Sequence, residues 1–268
     1  MSEAATTVTA PSAMQAIGTF RRMTWTRIRR GRLRFVALAL LAMPVIGTAL
    51  LALTGKWGRD LFDNVLQIHL RFLVLFLPAL ATSSIVGEEI ESRTFTFVFA
   101  RPSPRWAMVI GKYVATVVPL IALFAISVTL SFVIALLVPP AGPRELIENL
   151  PTLGRSLAAT TLAVIVFAAM CALIGSWFTR HPFIAVMGYL LLIEGLLGSL
   201  HIIINVLSMS WHVRRVAGIA IAAGEPGDLF AELLIPAPVS AIVLIIMALL
   251  TLVLAAWSVS GAEYRTDR

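Results

Sequence analysis

Apolar residues along this chain gather into six long runs separated by short polar stretches: 35–53, 68–86, 109–138, 156–178, 183–207 and 239–259. Crossing the bilayer hydrocarbon takes about 20 apolar residues in a helix rising about 1.5 Å per residue. Each run therefore predicts a membrane-spanning α-helix. The third run is longer than a span requires and carries Lys112 near its start, which predicts a helix that begins outside the hydrocarbon or tilts within it. Pro44, Pro78 and Pro119 fall inside runs and predict kinks, because neighbouring membrane helices can satisfy the carbonyls a proline frees.

The stretches outside the runs have their own patterns. Residues 1–13 are small and polar with no apolar period and predict disorder. From 14 to 34, Ile17, Phe20, Met23, Trp25 and Ile28 interleave with Arg21, Arg22, Arg27, Arg29, Arg30, Arg32 and Arg34, the pattern of an amphipathic helix lying in the membrane interface. The first run follows these arginines with no small-residue cleavage signal behind it, so it reads as a retained span. Between runs five and six, residues 216–223 are apolar but too few to cross; Trp211, His212, Arg214 and Arg215 precede them and Gly-Glu-Pro-Gly-Asp follows. An external re-entrant or interfacial helical segment is the expectation there. Residues 260–268 form a short tail.

The predicted fold class is an all-α integral membrane protein, with 35–259 as one six-span domain. Composition excludes a soluble domain: 59% of residues are hydrophobic and 13% charged, against about 25% charged in an average soluble domain. The net charge of +7 is placed at the edges of the runs, where it meets lipid headgroups, and so argues against nucleic acid as a partner. With six spans both termini share a side. That side holds fourteen of the Lys and Arg residues and the other six, with Arg71 inside the second run. The excess makes the termini cytoplasmic.

The most informative stretch, 87–112, joins runs two and three on the cytoplasmic side and reads GEEIESRTFTFVFARPSPRWAMVIGK. Glu88, Glu89 and Glu91 suit the positive end of a helix; Phe95, Phe97, Val98 and Phe99 supply apolar mass; Pro102 and Pro104 force a turn. Arg105 and Trp106 restart the chain at the membrane surface. A short helix with an aromatic face, held along the bilayer, suits the groove of a soluble partner.

At these residues the chain resembles the membrane permease subunit of the type-two, exporter-class ABC transporters. In that family an acidic cluster after span two leads through an apolar stretch and a Pro-x-x-Arg turn to a Gly-Lys at span three, matched here by Gly87, Glu88, Glu89, Glu91, Thr94, Pro102, Arg105, Gly111 and Lys112, with Arg93 where a glycine is common. The resemblance implies a coupling helix in which Glu88, Glu89, Glu91, Arg93, Thr94, Phe97, Arg101, Pro102 and Arg105 meet a cytoplasmic ATP-binding subunit. It also implies a homodimer in a bacterial-type inner membrane, with no cofactor bound directly and ATP and Mg on the partner ATPase. The chain itself would be non-catalytic. Consistently, Gly111-Lys112 is followed by Tyr113 and is no phosphate-cradling loop.

Polar residues within the runs are the remaining candidates. Glu194 lies near the middle of run five, where an ionised side chain costs about 2.5–3.5 kcal/mol on insertion scales; it requires a partner or a proton. At 3.6 residues per turn Gly198, His201 and Asn205 share its face. The stripe reads either as helix-packing glue or as the lining of a wet pathway. Arg71, with His69 beside it, lies near the outer end of run two and either snorkels to headgroups or pairs with Glu194. The four histidines, His69, His181, His201 and His212, have no metal-ligand spacing. Cys171, the single cysteine, reads as a small core residue. The rivals to a permease are a secondary transporter using Glu194 and Arg71, an intramembrane enzyme, for which Glu194 is the only carboxylate within a run, and a permease-like dimer transmitting force to an extracytoplasmic partner.

Overall fold

A computed structural model describes residues 12–87, 104–137, 142–196, 208–218 and 235–261. Its first helix, α1 (Ala13–Arg30), is opened by a capping box: the Gln15 N–H donates to Ser12 Oγ at 3.3 Å and the Ser12 N–H to Gln15 Oε1 at 3.0 Å. Arg27, Arg29 and Arg30 occupy its last turn, where cations complement the helix dipole. The helix ends at Arg30 with Gly31 as its cap, four residues before the expected end at Arg34, so Arg32 lies in the turn and Arg34 inside the next helix. The disorder expected for 1–13 falls mainly outside the described residues; Ser12 and Ala13 are the cap and first residue of α1.

Every regular element among the described residues is helical. After α1 come α2 (Leu33–Leu53), α3 (Arg59–Thr82), α4 (Arg105–Leu137), the short α5 (Pro143–Glu148) and α6 (Leu150–Trp177). Then follow α7 (Pro182–Tyr189), continued by a π-helical turn over Leu190–Leu196, α8 (Met209–Ala217) and α9 (Ala237–Gly261). Five of these helices, α2, α3, α4, α6 and α9, are long and apolar enough to cross a membrane. The fifth run, expected from 183, is a shorter apolar helix that begins at Pro182 within the described residues, and 197–207 lie outside them.

Boundaries shift most in α3, which starts at Arg59, nine residues ahead of the expected 68. Residues 59–67 are polar enough to read as a loop, yet Leu61, Phe62, Val65 and Leu66 recur at helical spacing and are all buried. Phe62 meets Phe132 of α4 edge-to-face at 5.1 Å. Helices continue through Pro44, Pro78 and Pro119. Helix α3 also carries a π-helical turn at His69–Leu73, just upstream of Pro78.

The hub of the bundle is α6, against which α3, α4, α8 and α9 pack. Lipid tails are as apolar as leucine, so membrane helices associate through close packing of small residues rather than through hydrophobic exclusion. Much of the buried face of α6 is of that kind, with Ala159, Ala163, Ala168, Ala169, Cys171, Ala172 and Gly175 beside the larger Val164, Val166, Phe167, Leu173 and Ile174. Two-thirds of its apolar window is buried (67%), against 28% in α2 and 33% in α9. The peripheral helices α2 and α9 turn Met43, Leu53, Leu249, Val253 and Trp257 outward.

Candidate functional site

Five helices converge where the segment 87–112 leaves and rejoins the bundle. Its two ends are tied together by Lys112, buried in the second turn of α4, whose ammonium donates 2.7 Å to the Ile85 carbonyl beyond the end of α3. One residue earlier, Gly111 brings α1 against α4 so closely that a Cβ there would lie 2.7 Å from the Ile17 carbonyl and 2.9 Å from Phe20 Cβ. On the α3 side a Cβ at Gly87 would stand 3.1 Å from the Thr179 carbonyl, in the turn between α6 and α7. A Cβ at Gly175 in α6 would overlap the Ser83 carbonyl. Ser176 then reaches Ser258 of α9 at 2.8 Å. The base of the segment is therefore built from α1, the end of α3, the start of α4, the end of α6 and α9.

The same region holds further cross-helix bonds. Tyr113 donates from α4 to the Ile165 carbonyl of α6 at 2.8 Å, and the Thr82 hydroxyl lies 2.7 Å from the Pro78 carbonyl and 3.2 Å from that of Ala168. Of the proposed coupling residues only Arg105 is described; it opens α4 and is exposed beside the half-exposed Trp106. Glu88, Glu89, Glu91, Arg93, Thr94, Phe97, Arg101 and Pro102 lie outside the described residues.

No family model matches this chain, and no curated protein is significantly similar to it.

A second polar centre lies around Glu194. The π-helical turn over Leu190–Leu196 places its carboxyl, 5% exposed, at the amino end of α8. There Oε1 accepts the Tyr189 hydroxyl at 3.1 Å and the Met209 N–H at 3.2 Å. Oε2 accepts the Ser208 hydroxyl at 2.7 Å, the Ser210 N–H at 3.0 Å and the Ser210 hydroxyl at 2.6 Å. A carboxylate here satisfies N–H groups that a helix start leaves without internal partners and meets the positive end of its dipole. Glu194 acts as a cap supplied from another helix. Its described partners are Tyr189, Ser208, Met209 and Ser210; Gly198, His201 and Asn205 lie outside the described residues.

Between runs five and six, where a helical segment was expected, the described helix is Met209–Ala217, which contains Trp211, His212, Arg214 and Arg215. Met209, Trp211, His212 and Val213 are buried against the bundle, Arg215 lies 5.6 Å over the Trp211 ring, and the Arg215 guanidinium donates to the Ile235 carbonyl at 3.2 Å. Residues 219–234 lie outside the described set.

His69 and Arg71 share the π turn of α3 but point apart. His69 is fully buried, with Nδ1 3.0 Å from the Val65 carbonyl and Nε2 2.9 Å from Ser127 Oγ, which also lies 2.7 Å from the Leu41 carbonyl. That chain of contacts joins α2, α3 and α4. Arg71 is exposed and, because α3 starts early, sits halfway along a 24-residue helix instead of near its outer end. It does not pair with Glu194, whose oxygens are occupied by α8 and Tyr189. Among the described residues no three His, Cys, Asp or Glu side chains gather as a metal site. Cys171 is buried in α6 and free.

Sequence reasoning missed the donors around Glu194. Their signal was present: serines at 208 and 210 ahead of a short amphipathic run are a helix-start pattern. The His69–Ser127 contact spans 58 residues of sequence and carries no local signature.

Proposed function

We propose that this chain is the six-span permease subunit of an ATP-driven exporter, working as a homodimer in a bacterial-type inner membrane with both termini in the cytoplasm. The segment 87–112 is its handle for a separate ATP-binding subunit that holds ATP and Mg. The observation that carries this reading is the bond from Lys112 to Ile85 at 2.7 Å. A handle can transmit displacement only if its base is stiff and shared among the helices to be moved. Here one charged bond closes the base, and α1, α3, α4, α6 and α9 all pack beside it.

The exposure of Arg71 supports the dimer. A guanidinium halfway along an apolar helix costs about 2.5–3.5 kcal/mol in lipid on insertion scales. A second copy, or a wet path between two copies, removes that cost. Glu194 supports the same architecture by anchoring α8 across the end of the bundle remote from the handle, where Gly218 approaches Arg155 near the start of α6.

The test is purification of the chain from its native membranes in mild detergent with its ATPase. Replacing Glu88 and Glu89 together by Ala is expected to lower stimulated ATP hydrolysis at least several-fold while the amount of inserted chain stays the same. Equal stimulation by the double variant contradicts the handle.

A further inference from the structure

Two cavities on the handle side of the bundle share a wall. The first, about 200 Å³, lies between α1, the end of α3 and α4, and its rim carries Arg27, Arg32 and Lys112 together with Ser84. At about 30 Å³ per water in the liquid it has room for about six or seven waters, enough for a phosphodiester group. The second, about 310 Å³, is a groove between α1, α2 and α4 floored by Leu38, Pro119, Leu120, Ala122 and Leu123. Ile28, Leu33, Ala81 and Thr116 line both. Arg29 and Arg34 also line the groove, whose other walls are almost wholly apolar; three cations in the first cavity and an apolar groove beside it match an amphiphile rather than a soluble anion, which would gain nothing from the apolar wall.

We propose that this double cavity binds one anionic phospholipid, its phosphate held beside Arg27, Arg32 and Lys112 and one acyl chain lying along Leu38 and Ala122. The placement suits such a ligand. The helix α1 is amphipathic and packs against the start of α4, as a helix lying where headgroups meet hydrocarbon would. Basic pockets between membrane helices at that depth recognise acidic headgroups through charge and hydrogen bonding. The lipid would bridge α1 to α2 and α4 immediately beside Lys112, so its occupancy would stiffen the base of the handle. Trp25 lines the groove and reports on it.

The experiment reconstitutes the full chain in phosphatidylcholine nanodiscs and titrates in phosphatidylglycerol brominated on its acyl chains. The signal is the quenching lost on Trp25→Phe, which isolates Trp25 from the other tryptophans. The site predicts half-maximal quenching at a mole fraction at least three-fold lower for brominated phosphatidylglycerol than for brominated phosphatidylcholine. Arg32→Gln is expected to shrink that preference, and Ala122→Leu, which fills the groove, leaves the charges and adds no fluorophore, to abolish quenching while near-ultraviolet circular dichroism keeps the fold. Inorganic phosphate at 10 mM or so should leave the signal unchanged. Equal quenching by both lipids overturns the site, as does retention of the preference in Ala122→Leu; displacement by inorganic phosphate would make it a free-anion site and overturn the lipid.

Discussion

The Lys112 ammonium and the Ile85 carbonyl, 2.7 Å apart, close the loop that leaves the membrane between α3 and α4. A hydrogen bond from a charged donor contributes about 1.5–3 kcal/mol, and losing it leaves a buried carbonyl without that donor. Lys112→Met keeps the length and apolar stem of the side chain. It is expected to lower the unfolding temperature in detergent by several degrees and to weaken ATPase coupling more than membrane insertion. Thermal unfolding followed alongside stimulated hydrolysis checks both.

Glu194 makes a sharper case. Both of its oxygens accept backbone N–H groups, from Met209 and Ser210. Glutamine must therefore turn an amide N–H toward one of those donors. Glu194→Gln is expected to cost about 1–3 kcal/mol, the scale for a buried polar group left unsatisfied, and Glu194→Leu more. Hydrogen exchange should rise over 209–217 in both variants while α6 stays protected. Unchanged exchange in the leucine variant would remove Glu194 from its capping role.

Two glycines of α6 should behave oppositely. A Cβ at Gly175 would collide with Ser83, whereas at Gly154 it would meet nothing within 4 Å. Gly175→Ala is expected to push α3 from α6 and reduce folded yield. Gly154→Ala is expected to be neutral or to stabilise by about 0.5–1 kcal/mol, the helix preference of alanine over glycine. Size-exclusion profiles and thermal unfolding of the pair distinguish local collision from a general intolerance of α6.

The polar contact between His69 and Ser127 predicts non-additivity. Ser127 lies 2.9 Å from the imidazole and 2.7 Å from the Leu41 carbonyl, so Ser127→Ala strands a buried imidazole nitrogen, while His69→Leu leaves the hydroxyl with Leu41 but removes its contact to α3. His69→Leu and Ser127→Ala should each destabilise by about 1–3 kcal/mol, and the double variant by less than their sum. A double-mutant cycle on thermal or denaturant unfolding measures the coupling.

How far the sequence reveals this protein depends on which forces leave local marks. Apolar length is such a mark, and it finds α2, α4, α6 and α9 to within six residues at either end. It fails at the start of α3, where Arg59, Asp60 and Asp63 lower mean hydropathy although one face is buried; there the helical period of Leu61, Phe62, Val65 and Leu66 was the better guide. The two π turns have no composition signal, and they decide where His69, Arg71 and Glu194 point. Gly111 and Lys112 drew notice only through a resemblance. That one admits α1 and the other ties down Ile85 follows only from long-range packing.

The central claim is that the segment from 87 to 112 is a cytoplasmic handle, and sidedness tests it most directly. Cys171 is buried, so a membrane-impermeant maleimide reads an introduced thiol cleanly. Arg101→Cys is expected to label in inside-out vesicles and to stay unlabelled in sealed right-side-out vesicles until detergent is added. Labelling from the external face of sealed right-side-out vesicles would contradict the account.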